Sequence, residues 1–222
     1  MINELIFSAH SLFIAASALL ALRMGKEALV AFISVQCILA NIFVTKQTTL
    51  FGFNATCSDA FTIGAVLGLN LLQEYFGQES AKKAIWTSFG LLAFYGIVSQ
   101  IQLAYVPSPS DTMQDHFQAI LGFMPRIVIA SFVVYLVVQF FDSWLYARLK
   151  IALVNRHLVI RNGASIIVSQ LLDTILFSFL GLYGIVDNIL HIIIVSYIIK
   201  LAAIALAAPS VALSKRIMNH RP

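Results

Sequence analysis

Ser169-Gln-Leu-Leu-Asp173-Thr-Ile-Leu-Phe-Ser178-Phe-Leu-Gly-Leu-Tyr-Gly-Ile-Val-Asp187-Asn-Ile-Leu-His191-Ile-Ile-Ile-Val-Ser196-Tyr-Ile-Ile-Lys200 sets an acid and a base near the middles of two successive apolar stretches. Each stretch is long enough to cross a bilayer as a helix. An ionisable side chain at that depth costs a few kcal/mol or more unless it faces a partner, water or a ligand, so Asp173 and Lys200 point to a site. The pattern is echoed upstream, where Gln139-Phe-Phe-Asp142-Ser143 repeats the amide, two apolar residues, acid and hydroxyl of Gln170 to Thr174. A spacing of three puts amide and carboxylate on one helix face, a turn apart, so each helix can offer a paired hydrogen-bonding edge. The echo is a hint about the site and implies no fold symmetry.

The surroundings of that stretch are of one kind. Of 222 residues, 60% are hydrophobic and only 11% charged, too few charges to coat a soluble domain of this length. The net charge of +4 therefore carries no argument for nucleic acid, and none is expected as a partner. Cys37 and Cys57 lack a zinc or redox spacing and read as packing residues. The first apolar run follows Glu4 rather than a basic lead and ends at Arg23-Met-Gly-Lys26, unlike a cleavable signal.

Seven apolar stretches recur, at about 5 to 22, 28 to 44, 59 to 76, 84 to 105, 117 to 147, 164 to 185 and 188 to 212. They predict an all-α, polytopic membrane bundle forming a single transmembrane domain over 1–222. The third is entered through Gly52, Asn54, Thr56, Ser58 and Asp59, a polar approach that would suit a broken or re-entrant helix. Basic residues fall on alternate junctions: Arg23 and Lys26, Lys82 and Lys83, Arg148 to Arg161, and Lys215 to Arg221. The other junctions hold Lys46 alone, an acidic segment from Pro107 to His116, and Asp187. If all seven stretches cross, the positive-inside rule puts the N-terminus outside and the C-terminus inside.

Polar groups inside the stretches are the candidate binding residues: Asn41, Asn70, Glu74, Arg126, Gln139, Asp142, Gln170, Asp173 and Lys200. Singly, each has a bland account as a helix-bridging amide, a headgroup charge or a structural ion pair. Together they exceed what adhesion in a small bundle requires, and a polar cavity between helices is the economical reading. A carboxylate beside an amide can accept two N–H groups and complement a carbonyl, the edge of a guanine-like base. Phe61, Phe123, Tyr135 and Phe177 are candidates to stack on a flat ring.

Leu39-Ala-Asn41-Ile-Phe-Val-Thr-Lys46, Leu72-Gln-Glu74-Tyr-Phe-Gly77 through Lys83, Arg126-Ile-Val-Ile-Ala-Ser131, Gln139-Phe-Phe-Asp142, Asp173-Thr174 and Tyr197-Ile-Ile-Lys200, in this order, resemble the queuosine precursor transporters, a vitamin uptake transporter family. The resemblance runs from about residue 28 to the tail. It implies a six-helix core, with the first stretch as an extra N-terminal helix. It further implies uptake across the bacterial cytoplasmic membrane of 7-deazaguanines, meaning the cyano and aminomethyl precursors or queuine, for transfer-RNA modification. Where the family usually shows a Phe-Pro pair and an aspartate, this chain has Ile63-Gly64 and Asn70, a change expected to alter the preference for a substrate's amine.

The expected partners are thus a purine-like base, the lipid bilayer and, as an open option, a second copy in a homodimer. No cofactor is expected. An enzyme would need a nucleophile with its base or a set of metal ligands, and His10, His116, His157, His191 and His220 are scattered without ligand spacing. No phosphate-cradling glycine loop is present. The alternative is a substrate-binding subunit that depends on a partner ATPase module.

Overall fold

The computed structural model describes residues 2–152 and 158–202, with side chains described except at 139, 142, 143, 146, 147 and 149–166. Long helices follow the apolar stretches: α1 Ile2–Met24, α2 Lys26–Phe43, α3 Asp59–Phe76 and α4 Gln78–Leu103. A short α5, Gln114–Leu121, precedes α6, Met124–Ala152, and α7, Leu158–Phe177. α7 runs into a π-helical turn, Ser178–Leu182, and α8 occupies Ile189–Ala202 within the described residues. The chain reverses from α1 to α2 at Gly25 and from α3 to α4 at Gly77, whose N–H bonds the carbonyl of Gln73 at 3.1 Å. Asn188 starts α8 by accepting the N–H of His191 at 3.2 Å, which satisfies one otherwise orphaned donor of the first turn.

Two expectations need correction. The all-α reading omitted an antiparallel hairpin, β1 Gln47–Leu50 and β2 Phe53–Thr56, paired from Gln47↔Thr56 to Leu50↔Phe53. Its two-residue loop, Phe51 at φ 53° and Gly52 at φ 82°, has the left-handed backbone of a type I′ turn, whose twist matches that of the strands. The polar residues before the third stretch therefore belong to a hairpin and a short turn, and α3 runs unbroken from Asp59 to Phe76. The fifth stretch is the other case, because α5 and α6 divide it. Pro125 lies in the first turn of α6, where its missing N–H breaks no helical bond.

The hairpin is folded into the bundle. Leu50 and Ala55 are buried against Val195 and Ile199 of α8, with Phe7 of α1 and Ile63 of α3 alongside. Its tip is held by α1, since Glu4 Oε1 accepts the N–H of Phe51 and Asn3 donates to the carbonyl of Thr49, both at 3.0 Å. The first helix, expected as an extra, is part of the core. Ala18 and Leu22 are fully buried with Leu29, Ile33, Leu67, Leu71 and Leu72 of α2 and α3. α2 is the central element and packs against α1, α3, α4 and α6. The helices approach closely at Gly64, where a Cβ would lie 2.4 Å from Ile14 Cγ2, as small residues permit in membrane bundles.

Large apolar side chains face outward, among them Phe13, Phe94 and Phe140. Lipid tails solvate such a surface without penalty. Four helical segments, Ile2–Met24, Lys26–Phe43, Gln78–Leu103 and Gln114–Val138, are long and apolar enough to cross a membrane.

Candidate functional site

A cavity of about 260 Å³ opens between the hairpin root and α2, α3, α6, α7 and α8. Its wall is assembled from one face per helix. α8 contributes Ile192, Ser196 and Lys200 at a spacing of four, α7 contributes Asp173, Thr174 and Phe177, and the π-helical turn adds Ser178. Asn41 enters from α2, Ser131 and Tyr135 from α6, Phe89 from α4, and Thr56, Ser58 and Asp59 from the junction of hairpin and α3.

Lys200 Nζ donates to Asp173 Oδ2 across the cavity, an ion pair between α8 and α7. The acid at 30% and the base at 13% side-chain exposure keep contact with the cavity, so both can meet a solute. Thr174 Oγ1 bonds back to the carbonyl of Gln170 at 2.8 Å. On the opposite wall Ser131 Oγ donates to Asn41 Oδ1 at 3.0 Å, while Asn41 Nδ2 donates to the carbonyl of Cys37 at 2.8 Å, tying α2 to α6. At the hairpin root Thr56 and Ser58 hydroxyls bond at 2.7 Å, and Ser196 Oγ donates to Asp59 Oδ2 at 3.1 Å. The second of these ties the start of α3 to α8.

Of the sequence candidates, the structure brings together Asn41, Asp173 and Lys200. Gln170 lies one turn before Asp173, outside the cavity lining. Asn70 and Glu74 sit near the end of α3, exposed and away from it. Arg126 is also elsewhere: its Nε donates to the carbonyl of Leu180 in the π-helical turn at 2.9 Å. Gln139 and Asp142 lie on α6, and their side chains fall outside the described residues. Of the aromatic candidates Tyr135 and Phe177 line the cavity, with the unforeseen Phe89, 4.8 Å from Tyr135 between ring centroids. Phe61 instead stacks on Phe43 in the core, and Phe123 faces outward.

Sequence reasoning missed Asp59, a cavity residue only 3% exposed. A second, mostly apolar cavity of about 250 Å³ between α2, α3, α4 and α6 adjoins the first, sharing Ala40, Asn41, Thr62, Phe89, Ser131 and Tyr135. Among the described residues no cluster of His, Cys, Asp or Glu could hold a metal ion. Cys57 beside the hairpin root is half buried, and burial pushes its thiol up, consistent with a packing residue. The arrangement can grip a flat solute between aromatic faces and offer it a carboxylate, an ammonium and hydroxyls.

Comparison with known proteins agrees in kind. The family model described as "Putative vitamin uptake transporter" matches residues 57–214. A "Probable queuosine precursor transporter" of Bacillus subtilis (strain 168) is 34% identical over 200 residues, covering 88% of this chain and 87% of that protein. No solved structure matches.

Proposed function

Since this chain belongs to the vitamin uptake transporter family, a multi-pass membrane protein whose role is transport and not catalysis, we propose that it imports 7-deazaguanine precursors of queuosine across the bacterial cytoplasmic membrane. The observation that carries the substrate class is the similarity over nearly the whole chain to a protein named for queuosine precursors. The cavity supports it chemically. Asp173 accepts the N–H edge of the base, Lys200 donates to the ring carbonyl, and Tyr135, Phe89 and Phe177 flank the ring. Lys200 and Asp173 satisfy each other, so a ligand enters by exchanging one pairing for another and leaves no charge stranded. All seven long helices cross, with the N-terminus outside, which sets the hairpin tip and the start of α8 on the outer side.

Rescue of a bacterium unable to make queuosine tests the reading, with the modification scored in its transfer RNA while the cyano base, the aminomethyl base or queuine is supplied. Expression of this chain restores queuosine with at least one of them, and Asp173→Asn at equal membrane abundance lowers the rescue by tenfold or more. No restoration with any of the three would contradict the substrate class.

A further inference from the structure

Asp59 is the most deeply buried carboxylate of the cavity, 3% exposed, and nothing in the scheme above uses it. An ionised carboxylate so placed needs several donors or a counter-charge, because desolvation costs it several kcal/mol. Among the described residues its side-chain hydrogen-bond donor is one hydroxyl, Ser196 Oγ at 3.1 Å. The neighbouring hydroxyls of Thr56 and Ser58 bond each other. Lys200 is the cation whose field reaches Asp59, and it is hydrogen-bonded to Asp173. The other titratable groups nearby are Cys57 at the hairpin root, with Lys46 acting on it from across the hairpin, and Tyr135 on α6. His10 of α1 lies farther off, edge-on to Phe61.

With Asp59 and Asp173 both ionised, the described cavity lining sets two negative charges against the ammonium of Lys200, an excess of one negative charge. When a base fills the cavity and displaces water, that excess must be neutralised. We propose that Asp59 is a seat for one positive charge that accompanies each bound base: the alkylammonium arm of a cationic substrate, or a proton when the substrate is neutral. The two sources share one chemistry, a single cation delivered to the Asp59 carboxylate. For the neutral base, the proton ends on an Asp59 oxygen as a carboxylic acid, whose O–H then donates to the ligand or to Ser196. For the cationic base, the carboxylate stays ionised and pairs with the ammonium. A carrier so built moves one positive charge inward with either substrate, and the membrane potential drives both.

This rests on the 7-deazaguanine reading, and two of those bases differ only in the relevant group, a neutral nitrile against an aminomethyl that is protonated near neutral pH. The test is calorimetric binding of each to the purified full chain in sodium-free buffers of different ionisation enthalpy between pH 6 and 8. The wild type takes up about one proton more with the cyano base than with the aminomethyl base. Where Asp59 is ionised in the free protein, affinity for the cyano base rises about tenfold per unit fall in pH. In Asp59→Asn the difference in proton uptake disappears, and the aminomethyl base weakens at least tenfold relative to the cyano base. Equal proton uptake by both ligands in the wild type overturns the proposal without recourse to any variant. So does a properly folded Asp59→Asn protein with unchanged selectivity. If neither base binds at all, the substrate reading itself falls and takes this inference with it.

Discussion

Lys200 and Asp173 satisfy each other, and removing Lys200 leaves the carboxylates of the described cavity lining without an ammonium. Lys200→Gln is expected to lower uptake at least tenfold, and Asp173→Asn in the same chain to recover abundance and thermal stability but not uptake. Tritiated base uptake alongside detergent melting curves separates the two effects. Ser131→Ala strands the Oδ1 of Asn41, at a cost of about 1 kcal/mol, and should lower the melting temperature by a few degrees. Which residues line the cavity was partly legible. An acid and a base within apolar runs announce themselves, and the cavity holds Asp173 and Lys200 as well as Asn41. Asp59 was hidden because it closes the polar run of Asn54, Thr56 and Ser58, which reads as the entrance of a broken helix and not as the root of a hairpin. Arg126 misled in the other direction, since the π-helical turn that supplies its acceptor has no signature in sequence.

At the scale of elements, the hairpin and α3 supply part of the cavity wall through Thr56, Ser58, Asp59 and Thr62. Gln47-Thr-Thr-Leu and Phe53-Asn-Ala-Thr around Phe51-Gly52 carry the β-branched residues and the two-residue loop of a hairpin, so the signal existed. It was outweighed by the apolar runs on both sides, which favour reading every interruption as a broken helix. The division of the fifth stretch was likewise marked, by Gly122 and Pro125. Gly64→Val should be the most damaging single change in α3. Its side chain would meet Ile14 Cγ2 and Gln36 Oε1, forcing α1 and α2 off α3 at a cost of about 1–3 kcal/mol. A fall in melting temperature of several degrees checks it, and a stability equal to the wild type would deny the close approach. Arg126→Leu, by contrast, removes a donor to Leu180 outside the cavity, and should cost stability while leaving the relative affinities of different bases unchanged.

For the whole molecule, the alternation of basic clusters sets an orientation that labelling can check. In a chain with Cys37 and Cys57 replaced by alanine, a membrane-impermeant maleimide added to intact cells should modify Ser110→Cys, in the loop before α5, and spare Gln78→Cys at the start of α4. The reverse pattern would invert the carrier. The proposed transport requires the helical bundle alone to carry a 7-deazaguanine through the cavity at Asp173 and Lys200. Uptake of labelled base into proteoliposomes containing only this chain and lipid, under an imposed inside-negative potential, tests that most directly. Saturable uptake without ATP or any partner subunit, lost in Asp173→Asn, is predicted. Folded wild-type protein that gives no more flux than empty vesicles would contradict it.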